Sequence, residues 1–473
     1  MRRIAFCFDG TWNKIDGAYP TNVARVSQSI SRRDPEGNPQ IIHYDEGVGT
    51  TRTARLTGGI FGHGLKDNVI EAYHFLVLNY EPGDEIYVFG FSRGAFTARS
   101  FVGLVRNCGI VSRRSLHHIR AAFNLYLSRD KEASPGSELA RQFRFEHCPM
   151  LCLPGDKAWR KKAHDYEGTD HDVDLAIKYV GVWDTVGALG IPNNLRLLRF
   201  LNKKYQFHDT ALSSFVKRAR HAVAADEKRK TFEPSLWSNL ADLNAASDSG
   251  NRYEQIIFPG THSAVGGGGP VRGLSDAALE WIFNAARREG LAFDVDSQSP
   301  LYDLKPNHRA QLFNANGKLD WSWKDRLVGV GLGDRHFTGI DRTDFHKSLV
   351  RRFHTDAKNL PEVQKYRPPS LKEFWPALEE MKQETEIEIS QALLETKSLW
   401  DDRNLRVPDK VRSYVIKPGD TAQKIATAEM NGPEDAAILL LHNLNIGALF
   451  DPDELYVGVK IELPTYSELE KAS

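Results

Sequence analysis

EIYVFGFSRGAFTAR, residues 85–99, decides how the rest of the chain is read. Its first half is apolar and rich in β-branched and aromatic residues; its second half is alanine-rich with a helical pattern. The two meet at Gly90-Phe91-Ser92-Arg93-Gly94, a G-x-S-x-G sequence. On a sharp strand-to-helix turn, such a sequence holds a serine in a strained conformation, and its glycines leave room where side chains would collide. A helix starting near Arg93 points backbone N–H groups at charge developing on Ser92. The same residues also fit a plain structural turn with Ser92 as the helix cap.

The surrounding chain repeats the strand-then-helix pattern. RIAFCFD, QIIHYD, IKYVGVWD and EQIIFPG, near residues 2–9, 40–45, 177–184 and 254–260, are short, apolar and strand-like. Several are apolar throughout, which suits strands buried on both faces of a parallel sheet. Helical patterns lie between them, as in NVARVSQSISRR, KDNVIEAYHFLVLNY and SLHHIRAAFNLYLSRDKEA. The alternation predicts an α/β fold, a doubly wound and mostly parallel sheet. Residues 290–370 are expected to wrap this core, giving a first domain over 1–369. Residues 370–407 read as an exposed acidic helical linker interrupted near Pro376, and 408–473 as a small C-terminal domain.

A serine nucleophile needs a base, and the base an orienting acid. In α/β-hydrolases these follow in the order Ser, Asp or Glu, His, each at a strand's C-terminal end. Asp184 ends the strand-like KYVGVWD, and His262 follows the strand-like QIIFPG. In isolation each residue would read as a turn cap or a satisfied histidine; order and placement together predict a Ser92–His262–Asp184 triad. Two oxyanion donors are expected, the Arg93 amide and the Gly10 or Thr11 amide in FDGTWN, with Asp9 bracing that loop. Asp9, Phe91 and Gly266 are expected to contact substrate. A D-x-D-G-T phosphatase reading of FCFDGTW fails because Cys7 stands where the nucleophilic aspartate belongs. GGIFGHGLKDN, residues 58–68, departs from a phosphate-binding loop at Lys66 and reads as a glycine-rich loop at the pocket rim.

Composition narrows the classes. Basic and acidic residues balance at 62 each, which argues against a nucleic-acid binder. No apolar run is long enough to predict a transmembrane segment. The N-terminus reads as a first strand rather than a secretory signal, so a cytoplasmic site of synthesis is expected. Four cysteines make no disulfide scaffold, and His147, Cys148 and Cys152 lack a second ligand pair. Neither metal nor organic cofactor is expected.

IAFCFDGTWN, YDEGVGT, GDEIYVFGFSRGAFTARSFVGLV, VGVWDTVGALGIP, HAVAADEKRKTFEPSLW, FPGTHSAVGGGG and LSDAALEWI together resemble successive motifs of one family. It is the α/β-hydrolase domain of type VI secretion phospholipase effectors, first class, and the resemblance spans roughly residues 1–370. It implies the triad at Ser92, Asp184 and His262, ester hydrolysis on a glycerophospholipid, and delivery by type VI secretion to a target periplasm. Ala264 departs from the acidic residue often found there. Asp226, Glu227 and Arg229 match a family segment and fit either a buried ion network or a substrate phosphate. NNLRLLRFLNKKYQF, residues 193–207, fits a core-packed helix with a basic outer face or a cationic helix docking on anionic lipid.

Residues 411–464 show strand, helix, helix, strand character. YVIKPGDT, Asn443 and LYVGVKIELP resemble a LysM module, with Ala422 a small departure. The resemblance implies a βααβ domain that binds peptidoglycan-type glycan or docks a protein partner. The chain as a whole reads as a serine esterase of phospholipase type. The competing reading is a non-catalytic scaffold that keeps the hydrolase fold.

Overall fold

A computed structural model describes residues 1–10, 15–47, 60–128, 130–166, 168, 172–187, 211–247, 252–294, 299–301, 304–312, 331–388, 410–417, 420–430, 432, 439–440, 442–443 and 460–465, with backbone alone at 60–63, 382–388 and 460. The chain divides into two compact units. One comprises Met1–Asp294, Ser299–Leu301 and Asn307–Lys372; the other comprises Val295–Gln298, Tyr302–Pro306 and Glu373–Ser473.

The first unit is built on a six-stranded sheet, β1 (Arg3–Phe8), β2 (Gln40–Asp45), β3 (Glu85–Phe91), β4 (Ile177–Trp183), β5 (Val216–Ala224) and β6 (Tyr253–Phe258). The spatial order is β2-β1-β3-β4-β5-β6, and every pairing is parallel. Such a sheet needs cover on both faces. On one face Ile4, Phe6 and Phe8 pack with Ile86 and Val88 against α2 (Ile60–Asn79), α3 (Arg93–Cys108) and α4 (Ile119–Leu127). On the other lie α1 (Asn22–Ser29) and, beyond the five-residue α5 (His262–Gly266), α6 (Gly273–Arg288). There Tyr179 donates to the Ile282 carbonyl (2.8 Å) and Trp183 to the Ala278 carbonyl (3.2 Å). The α/β class follows from these observations.

The strand order reverses at β1: β2 lies on one side and β3 on the other. Crevices beyond the carboxyl ends of strands at such a reversal are where open α/β sheets bind ligands. The register brings Phe8 beside Gly90, Phe91 beside Trp183, and Trp183 beside Ala222, so the residues that follow β1, β3, β4 and β5 share one rim.

Besides β5, which no strand-like stretch of the sequence announced, two elements differ from the sequence expectation. Residues 60–68 are not a rim loop but the start of α2. Pro376 does not interrupt a helix; it sits in the first turn of one, Trp375–Glu388, where a missing N–H costs nothing. Residues 193–207 lie outside the described part of the chain.

In the second unit β7 (Lys410–Val415) pairs antiparallel with β8 (Lys460–Thr465). Ile416, Ile425, Leu439, Ile461 and Leu463 form its own apolar core. The helix Ala422–Glu429 is capped by Thr421, whose hydroxyl accepts the Lys424 amide. Asn443 is buried and tied to β8: it accepts from the Glu462 amide (2.7 Å) and donates to the Glu462 carbonyl (2.6 Å). Most of the expected second helix lies outside the described residues.

Candidate active site

Ser92 stands at the corner between β3 and α3. Its φ of 61° and ψ of −125° belong to glycine's territory, and Asp184 is also at positive φ, 38°. Strain of this kind persists where neighbours over-determine it. The Ser92 amide donates to the Trp183 carbonyl (3.1 Å), and the Val186 amide donates to the Ser92 carbonyl (3.3 Å). A side chain at Gly94 would place Cβ 2.2 Å from the Phe8 carbonyl oxygen, so the end of β1 presses directly on the first turn of α3.

Asp184 ends β4, and its amide is fixed by the Ala222 carbonyl (2.7 Å). His262 opens α5, and its amide donates to Glu227 (3.3 Å). The three side chains meet. His262 Nε2 lies 2.7 Å from Ser92 Oγ, and Nδ1 lies 2.5 Å from Asp184 Oδ2. A carboxylate can only accept, so Nδ1 carries the proton and Nε2 accepts from the serine hydroxyl. All three are buried, with Ser92 at 5% exposure, His262 at 4% and Asp184 at 0%.

Asp184 holds more than the histidine. Its Oδ1 accepts the Ala224 amide (2.9 Å) and Arg335 Nη1 (2.7 Å), while Oδ2 accepts Arg335 Nη2 (2.9 Å). Burial alone would raise the carboxyl; Arg335 and His262 override it and hold Asp184 well below the usual carboxylate range. Burial pushes His262 below the ordinary imidazole value. Asp184 and Glu227 oppose that shift, and Arg229 adds to it.

Other predicted site residues fall into different places. Arg93 is the first residue of α3, so its amide points out of the helix N-terminus toward Ser92. Burial and nearby Arg229 lower its guanidinium to about 10. The Gly10 amide is committed to Asp9 Oδ1 (2.6 Å), which corrects its assignment as an oxyanion donor. Thr11, the alternative donor, lies outside the described residues. Asp9 does brace this loop, accepting also from Thr21 (2.5 Å) and Tyr44 (2.7 Å), and is fully buried. Phe91 and Gly266 are likewise buried. The Phe91 ring lies 4.6 Å from the His262 ring, and a Cβ on Gly266 would sit 1.9 Å from that same phenylalanine. These two shape the wall behind the histidine, and Phe232 closes the other side edge-on (4.8 Å). Glu227 pairs with Arg229 (2.9 Å) and Asp226 accepts from Tyr366 (2.7 Å), so these acids form a buried network.

Residues 2–285 match the family described as the type VI secretion system Tle1-like phospholipase effector, catalytic domain. The chain belongs to this family. The Tle1-like match covers the sheet and all three meeting side chains but stops short of Arg335. Over 259 residues the chain is 27% identical to a Saccharomyces cerevisiae protein described as uncharacterized protein YEL023C, covering 50% of this chain and 33% of that protein. The chain thus spans about a third of the length of that curated relative. Among solved structures, an uncharacterized Pseudomonas aeruginosa protein aligns at 15% identity and a TM-score of 0.39, covering 97% of this chain and 64% of that one. The Tle1 effector, solved bound to the VgrG spike of the type 6 secretion system, aligns at 15% and 0.35, covering 65% and 76%. Among the described residues no helix is long and apolar enough to cross a membrane.

Proposed function

We propose that this chain is a serine ester hydrolase of the phospholipase type. The observation that carries the reading is the relay from Ser92 through His262 to Asp184, with heavy-atom separations of 2.7 and 2.5 Å. These are the distances at which a positioned base can take a proton. Ser92 Oγ attacks the ester carbonyl as its proton passes to His262 Nε2. The tetrahedral oxyanion is held by the Arg93 amide and, in this reading, by a second amide at Thr11. His262 then protonates the departing alcohol, leaving an acyl group on Ser92. A water, deprotonated by the same nitrogen, releases the acid. Asp184 stays ionised and stabilises the imidazolium.

Family membership points to a glycerophospholipid substrate and to delivery by type VI secretion. In this reading residues 408–473 form a LysM-like module that docks glycan or protein. The test is to incubate the protein with vesicles of defined phospholipid and to follow fatty acid and lysolipid by mass spectrometry. Acyl release that disappears in Ser92→Ala is expected. Release only from short soluble esters would exclude the phospholipase assignment, and no release from any ester would exclude the hydrolase.

A further inference from the structure

Arg335 came from no motif, yet it occupies the centre of the site. The segment that carries it docks like a short strand: the Lys230 amide donates to the Gly331 carbonyl (2.9 Å), and the Gly333 amide donates to the Lys228 carbonyl (2.8 Å). Two residues later the side chain turns inward, with 2% of it exposed. Nη1 bridges Asp184 Oδ1 (2.7 Å) and the Ala224 carbonyl (2.6 Å); Nη2 bridges Asp184 Oδ2 (2.9 Å) and the Phe232 carbonyl (2.6 Å). One rigid guanidinium therefore fixes the carboxylate plane and also anchors the residue whose ring meets His262 edge-on.

We propose that Arg335 is a positioning residue of the Ser92–His262–Asp184 relay, locking the Asp184 carboxylate and sharing its charge so that His262 remains an unprotonated base in mildly acidic medium. The proposal rests on the hydrolase reading of that relay. A carboxylate facing only an imidazole favours the imidazolium strongly. A second cation on the same carboxylate weakens that preference and repels the proton directly. The other charged and titratable groups around the pair come from several elements. Glu227, Arg229 and Glu233 follow β5, and Arg99 lies on α3. His221 on β5 is buried and neutral, accepting the Thr185 amide at Nε2 (3.1 Å) and meeting Gln255 at Nδ1 (2.9 Å). Glu227 is already engaged by Arg229, so Arg335 is the cation that touches Asp184 itself.

The test compares wild type, Arg335→Met and Arg335→Lys in the full-length protein. Two readouts are taken: the pH profile of kcat/KM on a soluble ester and the His262 imidazole pKa from NMR of ring-labelled histidine. In Arg335→Met the acid limb and the His262 pKa should both rise by about one pH unit, a tenfold change in basicity. Millimolar guanidinium should move both back, and Arg335→Lys should fall between. A folded Arg335→Met or Arg335→Lys protein with the wild-type His262 pKa and acid limb overturns the proposal and leaves Arg335 a packing clamp. If wild type cleaves no ester, the hydrolase reading falls, while the NMR titration still decides the coupling of Arg335 to His262.

Discussion

At the scale of single residues, the site is a set of local costs held in place by neighbours. Ser92 sits where glycine would rest without strain. Such a conformation costs about 1–3 kcal/mol in a residue with a Cβ, and glycine gives back about 0.5–1 kcal/mol through chain entropy. Ser92→Gly is therefore expected to abolish activity while raising unfolding free energy by about 1 kcal/mol, read by denaturant titration. Equal or lower stability would show that the elbow is not strained. Ser92, Asp184 and His262 were legible in sequence because each follows a strand and small residues mark the turns beside them. Arg335 was not, because GLGDRHF carries no periodicity or motif and its partner lies 151 positions away. The commitment of the Gly10 amide was also hidden. It depends on which way Asp9 turns, and the sequence FDGTW is compatible with either direction.

At the scale of elements, the strand missed by sequence reading is β5. VKRARHAVA looks like a basic solvated stretch, yet six of its nine residues form a buried run, Ala219–Ala224. The charges are tolerated because partners sit opposite. Arg218 meets Glu289 (2.6 Å), and Arg220 meets Glu254 (2.7 Å) and the Trp281 carbonyl (2.5 Å). The Arg220 guanidinium also lies 4.5 Å from the Trp281 ring. Arg220→Ala should cost about 2–4 kcal/mol by stranding Glu254. Adding Glu254→Ala should cost less than the sum of the two single changes, because the second removes a charge the first left unpaired. Strict additivity in the double-mutant cycle would show that the pair does not interact. The other five strands were legible because their burial on both faces demands continuous apolar runs. In α2 the glycine-rich start hid the helix; its place in the fold overrides weak propensity.

At the scale of the whole molecule, burial of neutral imidazoles sets the acid stability. His221 is pushed down to about 3, by burial first and then by Arg99. Burial likewise carries His262 below, and His346 well below, the ordinary imidazole value. In the unfolded chain His221 and His346 each take up a proton near pH 6.5, while the folded form does not, so each costs about 1.4 kcal/mol per pH unit below that point, and His262 acts in the same direction. Asp45 works the other way, since burial raises its carboxyl to about 6 and the folded form binds that proton first. Unfolding free energy is expected to fall by about 2–3 kcal/mol between pH 7 and pH 5.5, measured by denaturant titration. A flat or rising stability over that window would mean that these histidines ionise in the folded state. The α/β architecture was legible at this scale, because short apolar strands alternating with helical segments bury their surfaces in a parallel sheet covered on both faces.

Hydrolysis at this site requires Ser92 Oγ to be a nucleophile made reactive by His262, and the most direct measurement is covalent. A fluorophosphonate should add to the folded protein once, and peptide mass spectrometry should place the adduct on Ser92. Labelling should vanish in Ser92→Ala and slow by about a thousandfold or more in His262→Gln, which keeps most of the ring's volume but not its basicity. An adduct on another residue, unchanged labelling in His262→Gln, or no adduct in verified folded protein would contradict the account.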